Sequence, residues 1–323
     1  MIRTGTTLAV AIACLAVTAC GTDAPADTPT LSTAYELPGA AVYPEGIAVD
    51  ARTGDSYVGS YADGTVYRAA GAATRAEVFL PAGADGRKTT NGLRVDRAGR
   101  LWVIDSTAGV TVYDTGSRAL LARFDAPGTA PRFVNDLAFG ADGSAYLTDS
   151  VRNVVYRASV DGIATGRGEL TVAFDLAPIL GARDPKTFEL NGIVADEAGT
   201  YLLVVAMSAG ELYRIDLAGG EPIRKVALSG GDVRHGDGME LRGDTLWVVH
   251  NTDNTISRWR VTGNGAAATR EREFHDPALN IPTTMAHSGD RALIVSSQFD
   301  KQGGPMGGTE QPGTFVVSAV DGL

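Results

Sequence analysis

From residue 43 to residue 300 the chain alternates short apolar runs with polar corners, and the alternation itself repeats. Six stretches superpose: YPEGIAVDARTGDSYVGSYADGTVYR (43–68), TNGLRVDRAGRLWVIDSTAGVTVY (90–113), NDLAFGADGSAYLTDSVRNVVYR (135–157), LNGIVADEAGTYLLVVAMSAGELYRIDL (190–217), GDGMELRGDTLWVVHNTDNTISRW (236–259) and PTTMAHSGDRALIVSSQFD (282–300). Each runs from a polar residue into an apolar strand, an Asp/Gly turn, a second apolar strand and a polar corner, usually followed by a third strand carrying Tyr or Arg. The leading polar residues are Glu45, Asn91, Asn135, Asn191, Asp237 and Thr283, so the steps are 46, 44, 56, 46 and 46 residues. Six units of this length, each with room for a fourth strand, predict an all-β six-bladed propeller of four-stranded antiparallel blades. A two-sheet sandwich accommodates many strands but has no reason to repeat one polar position six times. The longer third step, containing GRGELTVAFDLAPILGARDPKTFE, predicts an outer strand plus a loop over one face.

The repeat also predicts what faces what. Period-two alternation puts Ile47 and Val49 toward one neighbouring sheet and the residues between them toward the other. Trp102, Trp247 and Trp259 fall at blade-core positions, where packing explains them. The second strands return to the face where the inner strands begin, bringing Ser60, Asp105, Asp149, Ser208, His250 and Ser297 to an outer ring. The strand at 314–320 is expected to pair with the residues just after residue 35 and so close the ring without an exposed edge. The Gly-rich stretch 300–308 reads as a blade connection or, alternatively, a lid.

The N-terminus breaks the pattern. MIRTGTTLAVAIACLAVTAC has one charge, Arg3, an apolar run from Leu8 to Val17 and small residues before Cys20, which describes an export signal rather than a membrane span. Val17-Thr18-Ala19-Cys20 resembles a bacterial lipobox, with Cys20 as the acylated residue. The expected organisation is a signal peptide over 1–19, a flexible tether over 20–35 and a propeller domain over 36–323. The product is then exported and lipid-anchored to the outer face of the bacterial cell membrane; ordinary secretion is the alternative. Cleavage also removes Cys14, leaving no cysteine pair, so stability rests on the core, on ring closure or on a metal.

Composition narrows the partners. Of 323 residues, 44% are hydrophobic and 20% charged, as expected of a globular domain. The formal charge is −10, becoming −11 without Arg3, which argues against nucleic acid and against charge-driven binding to anionic lipid. Membrane contact is expected through the lipid anchor alone.

In a propeller the residue that opens each inner strand points at the axis on one face. Glu45, Asn135, Asn191 and Asp237 then converge, although each alone reads equally as a strand-opening turn. Two carboxylates and at least two amide carbonyls, without His or Cys, form a hard oxygen set suited to Ca²⁺; Mg²⁺ and Mn²⁺ are alternatives, and Zn²⁺ is disfavoured. Such an ion polarises a lactone or ester carbonyl and acidifies water. His235, two residues before Asp237, is a candidate proton shuttle. No G-x-S-x-G elbow occurs.

The stretches YPEGIAVD, RFVNDLAFGADGSAYLTDS, LNGIVADEAGTYLLVV and GDGMELRGDTLWVVHN resemble the regucalcin/gluconolactonase (SMP-30-like) group of calcium-dependent six-bladed propellers, with more distant similarity to paraoxonase-type lactonases and NHL-repeat propellers. The resemblance covers nearly everything after residue 40. It implies a metal held by Glu45, Asn135, Asn191 and Asp237, with Asp237 also acting as general base and a small lactone or ester as substrate. Asn91 matches the repeat in the second blade, as a pocket residue or a water-mediated ligand. Family members commonly carry a substrate-binding arginine two residues before the third-blade asparagine; here Arg132 stands three before Asn135. His250 ends a second strand at the rim, as a substrate contact or a hydrogen-bonded corner. The opening PEGIAVD is also close to an NHL repeat, whose propellers are often binding platforms. A non-catalytic propeller with a structural ion is therefore the alternative function.

Overall fold

The six repeats fold as six antiparallel sheets, in a computed structural model that describes residues 1–2, 28–129, 131–181, 187–217, 219 and 222–323. Cys20, the lipobox and the leader lie outside the described residues. The inner strands are Pro44–Val49, Leu93–Val95, Val134–Phe139, Leu190–Ala195, Gly236–Arg242 and Pro282–Ser288. The first five blades each take four antiparallel strands outward from these. The sixth is completed from both ends of the domain: Pro282–Ser288, Arg291–Ser296 and Val316–Asp321 are followed by Thr30–Glu36 as outermost strand, with Thr30 opposite Asp321. This ring closure is the pairing expected of the C-terminal strand. The pairing strand begins at Thr30, inside the segment expected to be tether, because Leu31 and Tyr35 alternate inward against the last blade.

Two blades gain a fifth strand. Arg167–Glu169 runs parallel to Leu120–Asp125 at the outer edge of blade two, and Ala227–Ser229 runs parallel to the outer strand of blade five. Arg167–Glu169 belongs to the long third step, which continues as Thr171–Asp175, the outer strand of blade three, and the one-turn helix Ala177–Leu180. The 297–315 segment joins the second and third strands of blade six and is held by Gln298 Nε2 donating to the Thr314 carbonyl (3.2 Å) and by the Tyr43 hydroxyl on the Gln302 carbonyl.

Alternation distributes the core between the blades. Leu101 and Val103 face blade one, whereas Trp102 and Ile104 face blade three; in blade four Leu202 and Val204 face backward and Leu203 and Val205 forward. Ile47 and Val49 pack toward blade six while Ala48 packs toward blade two. Six apolar layers result, one at each blade interface, with Trp102 and Trp259 fully buried and Trp247 nearly so. Burying an aromatic or large aliphatic side chain contributes roughly 1.5–3 kcal/mol, so the layers hold the ring together.

Candidate functional site

Five of the six inner strands break register at the same place, between their first and fourth residues: Pro44/Ile47, Val134/Leu137, Leu190/Ile193, Gly236/Met239 and Pro282/Met285. A bulge re-aims the side chain it carries, and Glu45, Asn135, Asn191, Asp237 and Thr283 all sit in it. The next residue in each repeat is Gly46, Gly92, Asp136, Gly192, Gly238 or Thr284. Here the inner strands come closest. A Cβ on Gly46 would stand 2.3 Å from the Asn91 carbonyl oxygen, and one on Gly238 2.1 Å from Thr284 Oγ1. Hydrogen bonds to backbone carbonyls tie the collar from blade to blade: Gly92 N donates to the Asn135 carbonyl (2.9 Å), Thr148 Oγ1 to the Asn191 carbonyl (2.7 Å) and Thr283 Oγ1 to the Glu45 carbonyl (2.6 Å).

The collar encloses a void of about 10 Å³ bordered by Glu45, Asn135, Asp136, Asn191, Asp237 and Thr284, room for about one water-sized occupant. All of these side chains are buried; Glu45, Asn135, Asn191 and Asp237 are 7%, 4%, 6% and 5% exposed. The structure thus brings together the four residues expected as metal ligands. Asn135 Nδ2 donates to Ser150 Oγ (3.0 Å), which leaves Asn135 Oδ1 buried without a partner among the described residues. The Oδ1 of Asn91 and Oγ1 of Thr284 are buried and unpartnered in the same way. Asp237 Oδ2 accepts from Asn251 Nδ2 at 2.8 Å.

Two residues of this centre are absent from the expected set. Asp136 occupies the collar position that is glycine in four repeats; its Oδ1 accepts the Leu137 N–H (2.8 Å). Arg94, from the middle of the short second inner strand, crosses the channel. Its Nη2 donates to Asp136 Oδ2 and to the Met239 carbonyl of blade five, each at 3.3 Å, and its Nη1 to the Ile47 carbonyl of blade one, also at 3.3 Å. Both were visible as departures from the repeat: an Asp among glycines, and a cation where blades one, three, four and six carry Ala48, Ala138, Val194 and Ala286.

The electrostatics follow from burial. Loss of solvation, then the charges of Asp237 and Asp136, push Glu45 well above the ordinary carboxylate range, with Arg94 opposing. Burial pushes Asp237 up to about 7, against the hydrogen bond from Asn251 and with the help of the Asp136 charge. Asp136 is raised by burial and lowered in part by Arg94. Fully ionised, three carboxylates and one guanidinium leave a charge of −2 in a dry collar, which one divalent cation neutralises. Among the described residues no three His, Cys, Asp or Glu side chains cluster as a metal site by themselves, so a cation here draws on amide and hydroxyl oxygens as well. The orphaned Asn135 Oδ1 and Thr284 Oγ1, whose residues border the void, are of that kind, and the donor set fits a hard divalent ion.

The other expected residues stand outside the void. His235 is left-handed (φ 56°) at the start of blade five, and its ring meets Asp253 at the surface, Nδ1 to Oδ1 3.0 Å. His250 is buried with both nitrogens engaged, Nδ1 with the Arg234 carbonyl (2.7 Å) and Nε2 with Ser257 Oγ (2.6 Å), and burial lowers its pKa. It shares a task with Asp105 and Asp149, which accept from Lys88 N (2.7 Å) and Phe133 N (3.1 Å): each pins the segment that leads into an inner strand. Arg132 Nη1 donates to the Ala126 carbonyl (2.6 Å), securing the connection between blades two and three.

A cavity of about 920 Å³ opens at the opposite end of the channel and is lined by the far halves of the inner strands. His287 and Glu240 face it as a hydrogen-bonded pair, Nδ1 to Oε2 2.6 Å, and Arg94 separates it from the collar.

No protein-family model matches the chain. No curated protein matches it either. Solved structures do. A gluconolactonase from Xanthomonas campestris is similar at 18% identity, over 90% of this chain and 89% of that one, with a TM-score of 0.61. A calcium-binding regucalcin from Agrobacterium tumefaciens is 15% identical over 88% and 91% of the two chains (TM-score 0.61). Virginiamycin B lyase from Staphylococcus aureus is 13% identical over 91% and 99% (TM-score 0.58). At these identities the likeness establishes the propeller fold.

Proposed function

We propose that the chain is a divalent-metal-dependent hydrolase of lactones or related esters, with calcium as the preferred ion. One observation carries the reading: two buried carboxylates with raised pKa, Glu45 and Asp237, share a water-sized void with partnerless amide oxygen. The gluconolactonase and the calcium-binding regucalcin among the similar structures support it as analogy.

A bound divalent ion supplies polarisation of the acyl carbonyl and acidification of water. The rest is the work of the chain. Ser150 fixes the Asn135 amide so that its oxygen faces inward. Asn251 holds Asp237 Oδ2, with Asn191 also bonded to that carboxylate, and Asp237 is the group that accepts a proton from the attacking water. The water oxygen bonds to the acyl carbon as its proton passes to Asp237, the acyl C–O bond of the lactone breaks, and Asp237 returns that proton to the alkoxide, which leaves as the hydroxyl of a hydroxy acid. Arg94 closes the channel beneath the collar. Asp237→Asn tests the reading: turnover falls by about 10²–10⁴-fold, the usual contribution of a general base, while folding persists.

The deep burial of all four ring side chains favours a second reading, a non-catalytic surface propeller braced by its ion. Under it, Asp237→Asn lowers the melting temperature and there is no turnover to lose. For location we propose export with a lipid at Cys20; loss of fatty-acid labelling in Cys20→Ser, retained in wild type, is the expected result.

A further inference from the structure

Around the collar mouth four aromatic rings from four blades form a continuous arc. Phe299 follows the second strand of blade six and meets Tyr61, which follows that of blade one, at 5.5 Å between centroids. Tyr61 meets Phe133 at 6.4 Å, and Phe133 meets Phe188 edge-on at 4.7 Å. Phe133 lies two residues before Asn135 and Phe188 three before Asn191, so the arc is built on the chain segments that deliver two ring amides. Tyr61 adjoins the ring itself: burial, then the charge of Glu45, raises its pKa. Phe188 is 45% exposed, an unusual cost for a phenylalanine, and the outermost member of the arc.

Blades two and five present polar side chains at the mouth. The position held by Phe133 in blade three is Thr89 in blade two, hydrogen-bonded to Ser106, and His235 in blade five, paired with Asp253. Apolar side chains from blades six, one, three and four therefore meet one another at the mouth, between the polar corners of blades two and five. A polyol laid there would lose hydration without gaining partners, because phenyl rings offer no hydrogen-bond acceptor of matching strength. An alkyl or aryl group would be buried against the rings.

We propose that this arc makes the mouth a site for lactones or esters bearing an apolar substituent, in preference to polyhydroxylated sugar lactones. The inference rests on reading the collar as a hydrolytic site. The acyl carbonyl lies at Glu45 and Asp237, and the substituent lies along Tyr61, Phe133 and Phe188.

The test compares hydrolysis of γ-undecalactone and glucono-δ-lactone by the calcium-loaded protein, with binding of γ-phenyl-γ-butyrolactam, which the site does not hydrolyse, followed by calorimetry. Wild type is expected to favour the undecalactone at least about tenfold in kcat/KM, the scale on which apolar pockets discriminate. Phe188→Ala, an exposed position whose loss leaves the fold intact, and Phe133→Ala each reduce that ratio through KM and weaken the lactam, and Phe133→Leu restores part of both. Equal or better use of the sugar lactone, or variants that leave the ratio and the lactam unchanged, overturns the inference. If neither lactone is turned over but the lactam binds and the variants weaken it, the arc stands as an apolar-ligand site and the hydrolytic reading fails. If the lactam does not bind, the arc proposal fails.

Discussion

The guanidinium of Arg94 and the carboxylate of Asp136 meet 3.3 Å apart in the middle of the axial channel, the first reaching from blade two and the second standing where four other repeats place glycine. Arg94 is one-fifth exposed and Asp136 buried. The pair puts a fixed positive charge beside Glu45 and Asp237 and sets the collar at −2 rather than −3.

Removing that charge should tighten cation binding. Arg94→Met is expected to bind calcium at least about tenfold more strongly than wild type, since even two unit charges about 5 Å apart repel by roughly 3 kcal/mol at an effective dielectric of 20 and the ion carries two. The same variant is expected to melt lower when stripped of metal. Calorimetric titration and melting curves check both. Weaker calcium binding would mean that Arg94 acts by positioning Asp136.

The metal-free protein should lose stability as pH rises. Glu45, Asp136 and Asp237 have folded-state values above their unfolded ones, so the folded chain holds more protons and its stability falls with pH. For Asp237 the window runs from about 4 to about 7, and each tenfold difference in proton affinity between the folded and unfolded chain is equivalent to about 1.4 kcal/mol. Chelated protein is expected to show its highest melting temperature near pH 5 and a lower one at pH 8, and saturating calcium is expected to flatten the difference. A chelated melting temperature that rises with pH across this range contradicts the assignment.

Asn251 holds Asp237, and Asn251→Ala is expected to reduce turnover more than stability. Losing a hydrogen bond to a charged group costs about 1.5–3 kcal/mol, read here as a kcat loss of about tenfold or more with an alkaline shift of the lower limb of the pH–rate profile. An unshifted profile with lowered melting temperature would assign Asn251 to structure alone.

The collar depends on close backbone approach. Gly46→Ala places a methyl 2.3 Å from the Asn91 carbonyl and is expected to destabilise by about 1–3 kcal/mol, with loss of calcium affinity. Gly54→Ala is the control for the collar contact, because a Cβ at Gly54 meets nothing within 4 Å although its φ of 78° carries strain of its own. Equal calcium affinity in the two variants would show that the collar does not shape the site.

The sequence made the architecture legible because one polar position recurs at nearly constant spacing and a propeller delivers that position to one axis. Glu45, Asn135, Asn191 and Asp237 converge for that reason. Arg94 and Asp136 were harder to see because each looks ordinary alone, a charged residue in LRV and the second half of an Asn-Asp turn; only their departure from the other repeats marks them. Side-chain direction was not legible. His235 and Arg132 lie near the ring in sequence, yet local partners, Asp253 and the Ala126 carbonyl, hold them elsewhere. The aromatic arc was hidden for a related reason: Tyr61, Phe133, Phe188 and Phe299 fall in corners outside the strand pattern, and only the closed ring brings them into contact.

The most direct measurement is a calorimetric calcium titration of the chelator-stripped propeller domain beside its Glu45→Gln/Asp237→Asn variant. One ion per chain in the wild type, with binding abolished in the folded double variant, is the predicted result. No binding by the wild type, or equal binding by both, would contradict the central claim that these two carboxylates and the ring amides form a divalent-cation site.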